Sequence, residues 1–147
     1  MNRREVLEKV IRYCRQRDAQ FAIYEEYARK NDMSVKALFI LNVLYYSEQG
    51  CTQTTICERT FSSKQLVSAT MKQYLEKGYV FFQEDTADRR NKLVHLTAEG
   101  RDYAEKIIPI VTEAECAAMS AFTVQEQETL LKLNSSFSDR LQSILEG

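Results

Sequence analysis

Two strand-like stretches lie close together in a chain that is otherwise patterned for helices. YVFFQED (79–85) and KLVHLT (92–97) are rich in aromatic and β-branched residues, and the turn residues TADRRN separate them. The 147 residues include only one Pro and four Gly, a composition typical of helical proteins. The sequence therefore predicts a mainly α (α+β) fold that carries a single two-stranded β-hairpin.

Two short helices are predicted immediately before this hairpin. Thr52 caps the first, TQTTICERT, and Ser62 and Gln65 have the S-x-x-Q spacing of a capping box that opens the second. Two short helices followed by a hairpin form a winged helix-turn-helix, which we assign to residues 33–99. The second helix is predicted to end at Gly78. Its core face is expected to comprise Ser63, Val67, Thr70, Met71, Tyr74 and Leu75.

Longer helices are predicted on the N-terminal side of this region. Residues 4–30 carry an amphipathic stripe, and Ser34 caps a helix that runs to about Glu48. Apolar residues wrap most of the circumference of the second of these helices, which is typical of a buried helix.

The C-terminal third is also patterned for helices. Residues 98–121 form an apolar stripe in which Pro109 is expected to kink the helix without ending it. Thr123 and Glu126 have the spacing of a capping box, which predicts the start of the last helix.

Composition narrows the class of protein. The longest apolar runs are short and the N-terminus is charged, so neither a membrane span nor a signal peptide is expected, and a cytoplasmic location is predicted. The chain has one His, no Ser/His/Asp set, no glycine-rich phosphate loop and no metal-ligand cluster, so no enzyme, cofactor or metal is expected. The net charge of −1 does not exclude nucleic acid, because binding depends on a local basic patch.

The loop between the two strands carries a carboxylate beside two guanidinium groups, in Asp88, Arg89 and Arg90. An exposed ion pair stabilises a fold by only about 0–1 kcal/mol, so stability is a weak reason for it. A carboxylate that limits the rotamers of an Arg can instead direct it toward the negative potential of a narrow DNA minor groove. The loop is therefore a candidate DNA-binding wing.

The pattern D-x-R, then a strand, then L-T-x-x-G is seen at Asp88, Arg90, Leu96, Thr97 and Gly100. With the helix-turn-helix before it, this run resembles the MarR family of bacterial transcriptional regulators over essentially the whole chain. The resemblance implies that Arg90 reaches the minor groove and that Asp88 orients it. It also implies phosphate contacts from Arg89 and Lys92.

The resemblance further implies that the helix starting near Ser62 is the recognition helix. Gln can bond adenine through two hydrogen bonds, Ser can bond any base, and Lys suits guanine edges or phosphate. Leu66 and Ala69 stand where many relatives have Thr and Arg. The candidate DNA-binding residues of this helix are Ser62, Ser63, Lys64, Gln65, Ser68 and Lys72.

The terminal helices carry more apolar surface than a small core can cover, and a two-fold dimer is the commonest solution. The whole chain, 1–147, is predicted to be one domain in which residues 1–32 and 100–147 form a helical dimerisation region. The resemblance implies a homodimer on a pseudo-palindromic operator, most often a repressor. It also implies a small lipophilic or phenolic effector, whose pocket the tyrosines, including Tyr45 and Tyr46, could line; equally, they could be core residues.

Other interpretations remain open at this point. The chain could be a winged-helix protein-interaction module that does not bind DNA. The four cysteines (14, 51, 57 and 116) lack CxxC spacing and are expected to be reduced and mostly structural, although Cys14 has basic neighbours and could sense oxidants, as in some relatives. The lone His95 is expected to be packed or solvated rather than a ligand.

Overall fold

The computed structural model describes residues 1–84, 87 and 92–147. The chain divides into two compact units, Met1–Ile108 and Pro109–Gly147. Helices and one antiparallel hairpin make up the first unit, as the sequence predicts. Its elements are α1 (Arg3–Lys30), α2 (Val35–Tyr46), α3 (Gln53–Thr60), α4 (Lys64–Glu76), β1 (Val80–Glu84), β2 (Lys92–Leu96) and α5 (Ala98–Glu105).

The helix α2 forms the centre of the first unit. It contacts α1, α3, α5 and β2, and Leu38, Ile40 and Leu41 are at most 1% exposed. The prediction of a buried helix is confirmed, and Ser34 caps it by accepting a hydrogen bond from the backbone N–H of Ala37 at 3.1 Å. The helix ends at Tyr46, slightly before the predicted end.

The hairpin pairs β1 with β2 in a register that runs from Val80 opposite Leu96 to Glu84 opposite Lys92. Cys51 adds one further backbone pair, because its N–H and C=O bond to Val94 at 3.1 and 2.7 Å. The loop after α2 is thereby joined to the middle of β2.

The break between α5 and α6 corrects one prediction. The expected continuous helix over residues 98–121 is two helices, α5 ending at Glu105 and α6 (Ile108–Ser120) beginning just before Pro109. Proline has no backbone N–H and a fixed φ, so it fits the first turn of a helix, where no intrahelical N–H bond is needed. Pro109 therefore stands at a helix start and not inside a kinked helix.

The second unit contains α6 and α7 (Val124–Glu146). The predicted capping box is confirmed: Thr123 accepts from the Glu126 backbone N–H at 3.1 Å, and the Glu126 carboxylate accepts from the Thr123 N–H at 2.8 Å. These bonds lower the pKa of Glu126 below its usual value.

The length and hydropathy of the helices bear on whether any of them could cross a membrane. Among the residues that the structure describes, no single helix is long and apolar enough to cross a bilayer, although Ala98–Ser120 and Val124–Glu146 pass as a bent pair.

Candidate nucleic-acid interface

The turn between α3 and α4 is built around a left-handed residue. Phe61 has φ +52°, and its N–H and that of Ser62 both donate to the Cys57 carbonyl oxygen, which closes the end of α3. A bulky L-residue in this conformation costs on the order of 1 kcal/mol. The Phe61 side chain is 90% exposed, so core packing against the described residues of the first unit does not offset that cost.

The start of α4 corrects the predicted capping box. The N-cap is Ser63, whose hydroxyl accepts from the backbone N–H of Leu66 at 3.1 Å. The hydroxyl of Ser62 instead accepts a hydrogen bond from Thr60 Oγ1 at 2.8 Å. Because Phe61 and Ser62 still belong to the end of α3, helical geometry resumes one residue later than the S-x-x-Q spacing indicates.

A lysine from α2 holds this turn in place. Lys36 Nζ donates to the carbonyl oxygens of Thr60 at 2.7 Å and Phe61 at 3.3 Å. The last carbonyls of a helix have no intrahelical partner and carry partial negative charge, so a cation suits them. Sequence reasoning missed Lys36, because its partners lie 24 and 25 residues away along the chain.

The inward face of α4 is largely as predicted. Val67, Thr70, Met71 and Tyr74 are buried, and Thr70 Oγ1 bonds back to the Leu66 carbonyl at 2.8 Å. The predicted burial of two further residues is wrong. The N-cap Ser63 is exposed, and Leu75 is 48% exposed because the helical rotation carries it away from the side that faces α3 and β1.

The outward side of α4 displays the remaining candidate side chains to solvent. Gln65 and Lys72 lie opposite the buried face, with Lys64 and Ser68 on its flank. The structure thus brings these four together on one exposed surface, which begins at the Ser63 cap. Their DNA-binding role stays a prediction.

Of the predicted wing residues, only Lys92 lies among the residues that the structure describes. Lys92 is exposed at the start of β2, opposite Glu84. Asp88, Arg89 and Arg90 lie outside the described residues. His95 is packed, as expected: its ring stacks on Phe81 with centroids 5.0 Å apart, and Nε2 lies 2.8 Å from Gln83 Oε1.

The L-T-x-x-G run has a structural explanation at the base of the hairpin. Thr97 caps α5 by accepting from the Gly100 N–H at 3.0 Å, and its own N–H donates to the Tyr79 carbonyl at 2.9 Å. A Cβ on Gly100 would lie 1.9 Å from that carbonyl oxygen. Only glycine therefore lets β1, β2 and α5 meet this closely.

A cluster of aromatic residues packs beside this junction. Tyr79 and Tyr103 stack with centroids 4.5 Å apart, and Tyr74 packs against both. Burial raises the pKa of Tyr74 well above its usual value, and its hydroxyl has no hydrogen-bond partner in the part of the chain that the structure describes.

The four cysteines all lie within the described part of the chain. All four cysteines are free thiols, with Cys51 buried, Cys14 half-buried on α1 and Cys116 exposed. Arg17, one of the basic neighbours of Cys14, is paired with Asp18 at 3.0 Å. Within residues 1–84, 87 and 92–147, no group of three His, Cys, Asp or Glu side chains could hold a metal ion.

Comparison with known sequences supports the assignment of this region. A sequence model described as the MarR family matches residues 31–91, which include α2, α3, α4 and β1. The transcriptional regulator HosA of Escherichia coli is 29% identical over 84 residues, which cover 57% of this chain. The match spans 62% of the length of HosA.

Comparison with solved structures extends the likeness to nearly the whole chain. NMB1585, a MarR family regulator from Neisseria meningitidis, has a TM-score of 0.77 at 22% identity and covers 99% of this chain and 98% of its own. A complex of S. aureus MepR with DNA has a TM-score of 0.65 at 21% identity, covering 89% of this chain and 97% of its own. This chain is therefore similar to the MarR family of transcriptional regulators in the sequence of residues 31–91, and it shares the fold of NMB1585 and MepR.

Proposed function

We propose that this chain is a sequence-specific regulator that binds double-stranded DNA as a homodimer, in the cytoplasm, and represses transcription from a pseudo-palindromic operator. The observation that carries the proposal is the exposed polar face of α4, which follows a tight turn and stands in the same unit as a hairpin wing. A helix-turn-helix docks such a helix in the major groove while neighbouring elements contact the backbone. MepR, which shares the fold, has been crystallised on DNA.

The local charge around α4 favours a polyanion. Residues 61–75 contain two Lys and no Asp or Glu, whereas the whole chain has a net charge of −1. Arg89, Arg90 and Lys92 add positive charge to the wing by sequence. Residues 33–99 are thus proposed as the DNA-binding region.

The apolar surface of the terminal helices supports the homodimer. Ala28 is the one buried residue of α1, and α7, all of which is described, has none. A helix that leaves a large apolar stripe in water needs a partner, and a second copy on a two-fold axis is the commonest one. We therefore propose residues 1–32 and 100–147 as the dimerisation region. The exposed apolar residues of α7 include Leu130, Leu131, Leu133, Phe137, Leu141, Ile144 and Leu145.

The proposal is tested by selecting bound duplexes from a random DNA pool and measuring their affinity at several salt concentrations. Specific binding should weaken steeply with salt, because neutralised phosphates release counterions. Arg90→Ala should weaken binding by about 1–3 kcal/mol. Lys72→Ala should reduce the slope of the logarithm of affinity against the logarithm of salt concentration by roughly one. Glu76→Ala, a change at the far end of α4 that adds no cation, is the matched control.

A flat salt dependence with no enriched sequence would contradict DNA binding and favour the protein-interaction module. Equal affinity of Arg90→Ala and the parent at matched salt would remove the wing from the interface and leave the role of α4 intact.

A small effector is a finer part of the proposal. The ring of Tyr46 at the end of α2 is 51% exposed and could line a pocket for a phenolic or lipophilic molecule. Tyr45 packs against it, with its own ring beneath Arg101 and its hydroxyl 3.4 Å from Glu105. Release of a selected duplex by simple phenols, and its loss in Tyr46→Ala, is the test; no release by any such compound would contradict the effector. Oxidant sensing by Cys14 stays a prediction.

A further inference from the structure

The surface at the amino end of α4 is apolar as well as cationic. Phe61 is 90% exposed and Leu66 38% exposed, and Ala69 is exposed on the next turn. A recognition helix lies in a groove lined by base edges. Apolar groups on such a helix do not bind phosphate, so they indicate which base edges the helix contacts. None of the described residues of the first unit covers the Phe61 ring.

Helix geometry places these side chains together. Gln65 and Ala69 lie one turn apart on the side opposite Val67 and Met71, and Leu66 flanks them. Phe61 precedes the Ser63 cap by two residues, so its ring stands at the amino end of α4. In helix-turn-helix docking this is the end whose residues reach the base edges.

The position of Phe61 is costly to the chain in two ways. Its backbone is in the left-handed region at φ +52°, where glycine is favoured, and its ring is left in water. The hydrogen bond from Lys36 Nζ to the Phe61 carbonyl holds the backbone there. A strained and exposed aromatic residue, held by a neighbouring helix, points to a binding role.

The side chains on the outward surface of α4 favour some base pairs over others. Arg and Lys both read guanine edges; α4 contains no Arg, and its two lysines suit phosphate as well as guanine. Gln pairs with the N6 and N7 edge of adenine, and apolar groups contact the C5-methyl group of thymine. We infer that α4 reads A·T base pairs, with Gln65 on adenine and with Phe61, Leu66 and Ala69 against thymine methyl groups. This inference rests on the proposed DNA binding and adds its base preference. Lys64 and Lys72 then contact phosphates.

Replacing thymine by deoxyuracil tests the inference, because it removes the methyl group and leaves base pairing intact. Duplexes selected from the random pool are resynthesised with deoxyuracil at one thymine of each half-site at a time. At positions under α4, each removed methyl group should weaken binding by about fourfold. Substitution at positions outside the half-sites is the control and should change nothing.

The variant Phe61→Gly distinguishes a loss of DNA contact from a loss of folding. Glycine relieves the left-handed backbone, so the variant should keep its fold and gain about 1–4 °C in the midpoint of thermal unfolding. Its affinity for the thymine-containing duplex should fall about tenfold or more. It should lose its response to deoxyuracil at the thymine that Phe61 contacts and keep that response at the other thymines under α4. Asp32→Gly, at the second non-glycine residue with positive φ among those that the structure describes, is the matched control and should keep the affinity of the parent.

The outcomes distinguish the inference from the function on which it rests. Enrichment of G·C pairs under α4, or equal affinity for thymine and deoxyuracil duplexes, overturns the A·T reading and leaves specific DNA binding standing. A pool that yields no enriched sequence overturns both. Unchanged affinity of Phe61→Gly removes Phe61 from the contact.

Discussion

Lys36 Nζ lies 2.7 Å from the carbonyl oxygen of Thr60, so a side chain of the buried helix α2 closes the end of α3. The same ammonium group reaches the Phe61 carbonyl at 3.3 Å. Both acceptors belong to the turn that positions α4. The turn that precedes the candidate recognition helix is therefore bonded to a half-buried cation of another helix.

Lys36→Met is expected to lower the free energy of unfolding by about 1–2 kcal/mol, because it leaves the helix-end carbonyls without their charged donor. It should also weaken DNA binding, since the turn loses its support. Urea unfolding and binding titrations measure the two effects. Lys106→Met, at an exposed lysine, is the matched control. A Lys36→Met variant as stable as the parent would show that solvent replaces the bond at no cost.

Gly100→Ala is expected to be among the most damaging single-methyl changes in the chain. The added Cβ would lie 1.9 Å from the Tyr79 carbonyl oxygen, which is backbone and is already bonded to the Thr97 N–H. Such overpacking should cost about 3 kcal/mol or more of unfolding free energy. Chemical denaturation is the measurement, and Glu99→Ala at the adjacent exposed position should change stability by less than about 0.5 kcal/mol. A loss of less than about 0.5 kcal/mol in Gly100→Ala would contradict the close approach of Gly100 to the Tyr79 carbonyl.

Tyr74→Phe is expected to raise stability. The Tyr74 ring is 5% exposed, and its hydroxyl has no hydrogen-bond partner among the described residues, so removing the oxygen removes an uncompensated desolvation cost. The gain should be about 1 kcal/mol in unfolding free energy. A loss of similar size would mean that the hydroxyl has a bonding partner in solution.

Alkaline pH should destabilise the folded chain through the same side chain. Burial raises the pKa of Tyr74 above its usual value, so the unfolded state releases this proton at a lower pH than the folded state does. Stability is therefore fully present below about pH 10 and falls as the pH rises above it. Tyr74→Phe should show a shallower fall when unfolding is followed from pH 9 to 11. Equal slopes would assign the alkaline transition to other groups, such as Tyr103, whose pKa is also raised by burial.

Leu133→Glu is expected to shift the proposed homodimer toward monomer. Leu133 is 63% exposed on the apolar stripe of α7, so a carboxylate there would be buried without a partner in the proposed interface. Light scattering after size exclusion gives the mass of each species at several concentrations. Lys132→Glu, which places the same carboxylate at the neighbouring residue, is the control. A Leu133→Glu variant that stays dimeric would exclude this part of α7 from the interface.

Local patterns were enough to predict most of the elements. Thr52, Ser34 and Thr123 cap helices as their spacing predicts, and the alternation of aromatic and β-branched residues marks β1 and β2 correctly. Caps and strand alternation depend on contacts within a few residues, so the sequence displays them directly. Two errors lie at boundaries, where Ser63 replaces Ser62 as the cap and Pro109 starts a helix. A third concerns the core face of α4, from which Leu75 points away.

The sequence by itself determined the order of helices and strands, the buried character of α2 and the family resemblance, because these follow from periodicity and from motifs of adjacent residues. Only the tertiary structure decided that Lys36 supports the turn, that Gly100 admits the Tyr79 backbone and that Phe61 is exposed in a left-handed conformation. The first two relationships join residues far apart in the chain, and the third depends on how α3 ends. Packing chooses among such arrangements, since their free energies depend on neighbours that local sequence does not specify.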